Sequence, residues 1–208
     1  MNSKTVITIG RQFGSGGKEI GEKLAKELGI RCYDKELLAV AAKESGLCKE
    51  LFENHDEKPT NSFLYSLVMD TYSLGYTSSY SDMPINHKVF LAQFDAIKKL
   101  AERESCVIIG RCADYALEDN PYAMSIYIKA DMDKRVKRIM TKYQLNESKA
   151  SDMIQKEDKR RASYYNYYSS TKWGDAKSYD LCLDSGKLGV EGSIELIKDF
   201  IALREKNF

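Results

Sequence analysis

The stretch "TVITIGRQFGSGGKEIGEKLAKELG", residues 5–29, constrains the fold more than any other part of the chain. Thr5 to Ile9 form a continuous run rich in β-branched residues, the pattern of a strand covered on both faces. Ile20, Leu24 and Leu28 then recur at i, i+4 and i+8, with Gly29 behind them, which predicts a helix and its C-cap. Gly10, Gly14, Gly16 and Gly17 crowd the passage between the two. "IRCYD" (30–34) reads as a second short strand, and a right-handed parallel crossover is the default connection.

The same alternation continues. "CVIIG" (106–110), "MSIYIKA" (124–130) and "YDLCLD" (179–184) read as further strands, and residues 190–207 as a closing amphipathic helix. Five strands separated by helical patterns predict an α/β fold, a parallel five-stranded sheet flanked by helices on both faces. Two segments break the alternation. Residues 55–86 are rich in Ser, Thr, Tyr and Pro and lead into a helix near 87–104. Residues 146–173 form a long charged helix that enters a tyrosine-rich stretch. Both are expected to lie over the mouth of the sheet, where open α/β folds bind ligands, with 55–104 as an acceptor-binding insertion and 146–173 as a lid. The length of 208 residues suits one domain, 1–208.

Bulk properties exclude several classes. Net charge is +1, so there is no global field for nucleic acid or for a membrane surface, and neither partner is expected. No run approaches the length of a membrane span, and the first ten residues carry no signal-peptide core. The five cysteines are odd in number and lack a C-x-x-C pair, and there are only two histidines, which argues against structural zinc. A reduced, cytoplasmic setting is expected; the oligomeric state is left open.

The glycine run admits three readings. In a phosphate loop, backbone N–H groups and a helix N-terminus face the phosphates, a lysine adds charge, and a following Ser or Thr holds Mg²⁺. With Lys18 as that lysine, Gly17 is in place, but Gln12 and Glu19 stand where a glycine and the hydroxyl belong. A dinucleotide fingerprint fits Gly14 and Gly16, with Asp34 as the downstream acid, but lacks the third glycine. A plain packing turn needs fewer glycines than these. The phosphate reading fits best.

Phosphoryl transfer also needs cations around the moving group and an acceptor site. Arg111 follows the strand at 106–110, at the edge where Lys18 is expected, and a guanidinium grips phosphate in bidentate fashion. Taken alone it would read as a solvated loop residue. Asp158 and Arg161 share a helix face next to Arg160, and Arg135 and Arg138 share another. A solvated salt-bridge face is the alternative for each cluster. Their order along the chain, after a glycine loop, is the order a nucleotide kinase needs.

Through "ITIGRQFGSGG", "YDKELL", "IIGR", "DxxRAxYY" at 158–165 and "WGDAKSYDLCLDSGKLGVEGSIELI", the chain resembles the cytidylate kinase-like family of the P-loop nucleoside monophosphate kinase superfamily. The resemblance spans nearly the whole chain. It implies a three-layer P-loop fold and transfer of phosphate from ATP, with Mg²⁺, to a nucleoside monophosphate, CMP or dCMP first. It assigns Gly14, Ser15, Gly16, Gly17 and Lys18 to the ATP phosphates, with Glu19 beside them. Arg111 and Arg161 fall on the acceptor phosphate, Asp158 on the pyrimidine amino edge, and Arg135, Arg138 and Arg160 on lid cations. Asp34 is expected near the acceptor and as a water-mediated magnesium ligand, assisted by Glu19. The chain departs from well-characterised cytidylate kinases at Ile109, where they carry Asp, and at Lys35, where they carry Ser. A nucleotide-binding protein with lost or redirected transfer activity, and a dinucleotide oxidoreductase, are the alternatives.

Overall fold

A computed structural model describes residues 4–34, 36–45 and 84–207. Five parallel strands form one sheet: β1 (Val6–Arg11), β2 (Arg31–Tyr33), β3 (Cys106–Ile109), β4 (Ala123–Lys129) and β5 (Leu181–Asp184), in the order β2-β3-β1-β4-β5. This is the α/β architecture expected from the alternation. β3 lies between β1 and β2, with Val6 opposite Cys106 and Cys106 opposite Arg31. A dinucleotide-binding sheet instead sets its second strand directly beside the first, so the topology is not that of the dinucleotide-binding fold on which the oxidoreductase alternative rested.

The helices are α1 (Gly17–Leu28), α2 (Glu36–Ser45), α3 (Ile85–Arg103), the single turn α4 (Ala113–Ala116), α5 (Met132–Tyr143), α6 (Glu147–Tyr168) and α7 (Ser185–Lys206). Residues 55–83 of the segment expected as an insertion, 55–104, lie outside the described residues, as do 46–54 and Lys35; of that segment only 84–104, which holds α3, is described.

Two apolar layers sandwich the sheet because β1 is apolar in both directions. Ile7 and Ile9 point to one face and join Ile20 and Leu24 of α1 with Ile194 and Ile197 of α7. Val6 points to the other and joins Ile97 and Leu100 of α3 with Ile108. Each such isoleucine is fully buried and contributes about 2 kcal/mol by leaving water. Ile109 belongs to the first of these layers, away from any solvent.

The tyrosine-rich stretch continues α6 rather than ending it. Asn146 caps the helix start by accepting from the Lys149 N–H at 2.9 Å. Tyr164, Tyr165 and Tyr168 are buried at its end, with the Tyr168 ring stacked 4.0 Å from Phe90 of α3. Trp173 meets Tyr127 of β4 edge-on at 5.7 Å, which puts it against the sheet.

Candidate active site

β1 ends at the carboxyl edge of the sheet, and residues 12–16 carry the chain from there into α1. Gly14 and Gly16 have φ of +82° and +81°, in the left-handed region where a side chain is disfavoured. Gln12 is a strut. Its N–H donates to the Ile128 carbonyl at 3.0 Å, and its Oε1 accepts from the Ala130 N–H at 3.0 Å, so both ends of the residue hold β4. Its carbonyl accepts from the Ser15 hydroxyl at 2.9 Å. The Ser185 hydroxyl, opening α7, reaches the Ser15 carbonyl at 2.5 Å. The position that lacks the expected glycine thus fastens the loop through its side chain.

Lys18 lies in the first turn of α1, half-exposed, with Nζ 2.7 Å from Asp34 Oδ2 and 3.5 Å from Glu22 Oε1. The hydrogen bond that it donates to the Asp34 carboxylate raises its already high pKa, so it remains a cation. Asp34 follows β2 and its other oxygen, Oδ1, accepts from Arg111 Nη1 at 3.0 Å. Burial alone would raise the Asp34 pKa. The Arg111 charge and the hydrogen bonds from Lys18 and Arg111 outweigh it and hold the carboxyl at about 2. Arg111 is only 4% exposed. It and Cys112 both adopt left-handed φ, +56° and +53°, a costly conformation for residues with a Cβ and one that marks functional sites. The turn aims the guanidinium back at Asp34.

Glu19 stands where a magnesium hydroxyl was expected. Its Oε2 accepts from Arg138 of α5, and Oε1 lies 3.4 Å from Lys23. The Arg138 guanidinium lies over the loop, where a Cβ on Gly16 would come within 3.1 Å of it. Asp158 and Arg135 form an ion pair between α6 and α5. The pair clasps Phe13, whose N–H donates to Asp158 Oδ1 at 2.7 Å and whose carbonyl accepts from Arg135 at 3.3 Å. Arg161 donates to the Arg11 carbonyl at 3.2 Å, and its guanidinium lies 5.4 Å from the Phe13 ring centre. Arg160 pairs with Glu157 at 2.8 Å.

A cleft of about 380 Å³ opens over the loop. Gly14, Gly16, Gly17, Lys18, Glu19, Asp34, Arg111, Arg138, Arg160 and Arg161 all line it. Ser15, Arg135 and Asp158 do not; they brace the walls through the bonds just given. Sequence reasoning missed four lining residues of note: Arg11, Phe13, Lys142 and Glu157. Arg11 alone carried a local signal, as a cation at the strand end beside the loop. Seven cationic side chains (Arg11, Lys18, Arg111, Arg138, Lys142, Arg160, Arg161) face four carboxylates (Glu19, Glu22, Asp34, Glu157). Loop amides, a helix N-terminus and this cationic excess suit a polyanion.

The carboxylates do not fit a metal held by the protein. Asp34 has both oxygens engaged by cations, as does Glu19, and among the described residues no group of three His, Cys, Asp or Glu side chains converges. Magnesium bound mainly through phosphates and water needs no such group.

Residues 6–187 match the cytidylate kinase-like family. A cytidylate kinase from Methanococcus vannielii is 25% identical over 201 residues, covering 94% of this chain and 99% of that one. A crystal structure of an uncharacterized protein from Eubacterium ventriosum superposes with a TM-score of 0.70 at 33% identity, over 96% of this chain and 99% of that one. Shikimate kinase from Bacteroides thetaiotaomicron (TM-score 0.55, 14% identity, 95% and 98% coverage) and a gluconokinase from Sinorhizobium meliloti (0.53, 13%, 100% and 97%) share the fold. The sheet order, the glycine loop with its lysine, and the match over almost the full length agree: the chain belongs to the cytidylate kinase-like family.

Proposed function

We propose that this chain is an ATP-dependent phosphotransferase acting on a nucleoside monophosphate, with CMP or dCMP the first candidates. The observation that carries the proposal is the convergence of Lys18 from the loop and Arg111 from the far strand on one buried carboxylate, Asp34. Donor and acceptor cations are thereby fixed at one point of the cleft. The cytidylate kinase-like family and the kinase fold support phosphotransferase chemistry; the cytidine preference rests on the named relative.

ATP enters as its Mg²⁺ complex and lays its phosphates on the amides of residues 14–18, with Lys18 at the outer phosphates. The acceptor phosphate lies against Arg111 and Arg161, under α5 and α6. An acceptor oxygen bonds to the γ-phosphorus as the bridge to the β-phosphate breaks, and that electron pair stays on ADP. The attacking oxygen is already an anion, so no side chain need remove a proton. The chain's own contribution is position and positive charge in a site emptied of water. Asp34 orients Lys18 and Arg111, both of which its oxygens already hold. Asp158 is proposed at the acceptor base, within reach only if it exchanges part of its bonding to Phe13 and Arg135. The reaction is proposed to run in the cytoplasm; among the described residues no helix is long and apolar enough to cross a membrane.

Ile109 favours a second reading, transfer to a different small acceptor. Its side chain is fully buried in the core and offers the acceptor nothing, where well-characterised cytidylate kinases present a carboxylate. A panel of monophosphates and small hydroxylated metabolites, run with ATP with and without Mg²⁺, separates the readings. Phosphorylation of CMP or dCMP above all others supports the first. Turnover of another acceptor supports the second, and ATP binding without any turnover means transfer activity has been lost.

A further inference from the structure

Arg11 ends β1 one residue before the loop, outside every position that the phosphate-loop pattern names. Its side chain crosses the carboxyl edge of the sheet toward β3. A Cβ at Gly17 would meet the Arg11 Cβ at 2.6 Å, and a Cβ at Gly110 would come within 1.9 Å of the Arg11 guanidinium. Glycines on two separate elements therefore leave a slot that this one side chain occupies. Gly110 also has φ of +74°, so the turn after β3 is shaped to let the guanidinium lie across it.

The slot opens at a defined place. Beside the loop's cleft lies a smaller cavity of about 20 Å³ that reaches toward Asp114, Tyr165 and Trp173. The residues common to both are Arg11, Arg111 and Arg161. Arg111 and Arg161 were assigned to the acceptor, whereas the loop holds the donor; Arg11 joins the two, because its carbonyl accepts from Arg161 and its side chain packs on Gly17.

We propose that Arg11 is a catalytic residue, a guanidinium at the junction of donor and acceptor that takes up charge on the transferring phosphoryl group. This rests on the reading of the chain as an ATP-dependent phosphotransferase. In that step the acceptor oxygen gains a bond to the γ-phosphorus, the bond to the bridging oxygen of ADP is lost, and Arg11 stays protonated throughout. A planar fork offers two parallel N–H donors to two equatorial oxygens in a fixed geometry, which an ammonium group, acting as a point charge, does not. The demand for such a group is high here, because the position that ordinarily brings a metal-bound hydroxyl carries Glu19 instead.

The test uses the full chain with ADP, then ADP plus aluminium fluoride, a mimic of the phosphoryl group in flight, in the presence of the acceptor found by the panel or of CMP. Arg11→Met should bind ADP within about threefold of wild type yet lose tenfold or more of the tightening that aluminium fluoride brings, and kcat should fall about 10²-fold. Arg11→Lys keeps the charge and the stem and guards against a folding defect; its melting temperature should match wild type while kcat falls about tenfold. Retained tightening in Arg11→Met, ADP affinity lost in step with it, no tightening in the wild type, or wild-type turnover in Arg11→Lys each overturns the proposal. A wild-type chain that binds no ADP contradicts the phosphotransferase reading and this inference with it, whereas full turnover by the variants alone contradicts only the role of Arg11.

Discussion

Asp34 and Arg111, 77 residues apart in sequence, meet across the carboxyl edge of the sheet with 3.0 Å between Oδ1 and Nη1, both largely shut off from solvent. Neither can be removed cheaply, because each would leave an opposite charge in the interior without its main partner.

Asp34→Asn should therefore destabilise the chain by about 3 kcal/mol, seen as a lower urea midpoint at unchanged slope. The pH dependence has a definite sign. The carboxyl titrates at about 2 when folded against 3.8 in the unfolded reference. The pair's contribution is thus complete above about pH 4 and is lost as pH falls toward 2, a difference of about 2 kcal/mol. Urea melts at pH 5 and pH 3 should differ in wild type, and differ less in Asp34→Asn.

Lys18→Ala and Arg161→Ala should each lower kcat/KM about 10²-fold, about 2.7 kcal/mol, in steady-state assays with the best acceptor. Lys18→Ala should act on ATP and Arg161→Ala on the acceptor when each substrate is varied in turn. A variant that turns over like wild type takes its residue out of the mechanism.

Glu19 and Arg138 should behave as a unit. The carboxylate moors the guanidinium over Gly16, so Glu19→Gln and Arg138→Met are each expected to lower kcat/KM about tenfold, and the double variant to be no worse than the more damaged single one. Additive losses would show that Glu19 acts on something other than Arg138, a metal ion first.

Gln12→Gly restores the residue of the common pattern and should nonetheless harm this chain. It removes the Oε1 bond to Ala130 and adds backbone freedom, at a cost of about 1–2 kcal/mol. Thermal unfolding measures the loss, and a higher KM for ATP at similar kcat is the kinetic counterpart.

Strands and helices were legible in the sequence wherever burial on both faces or a helical period governs the side chains. The run 5–9 became Val6–Arg11, and the spacing of Ile20, Leu24 and Leu28 became α1. The site was legible as far as it is local: Lys18 follows the loop and Arg111 follows a strand. What stayed hidden depends on bonds between a side chain and a distant backbone. Gln12 read as a defect because its partner, the Ala130 N–H, is 118 residues away, and the Phe13 N–H that engages Asp158 is 145 residues from it. Arg11 went unnoticed because its slot is cut by glycines on two other elements.

Crystals grown with a non-hydrolysable ATP analogue and Mg²⁺ would show whether residues 14–18 cradle the nucleotide phosphates. Phosphate oxygens are expected within hydrogen-bond distance of the amides of residues 14–18, and the Lys18 ammonium turned from Asp34 toward the outer phosphates. A filled nucleotide site elsewhere, with this loop bare and Lys18 still on Asp34, would contradict that role for the loop.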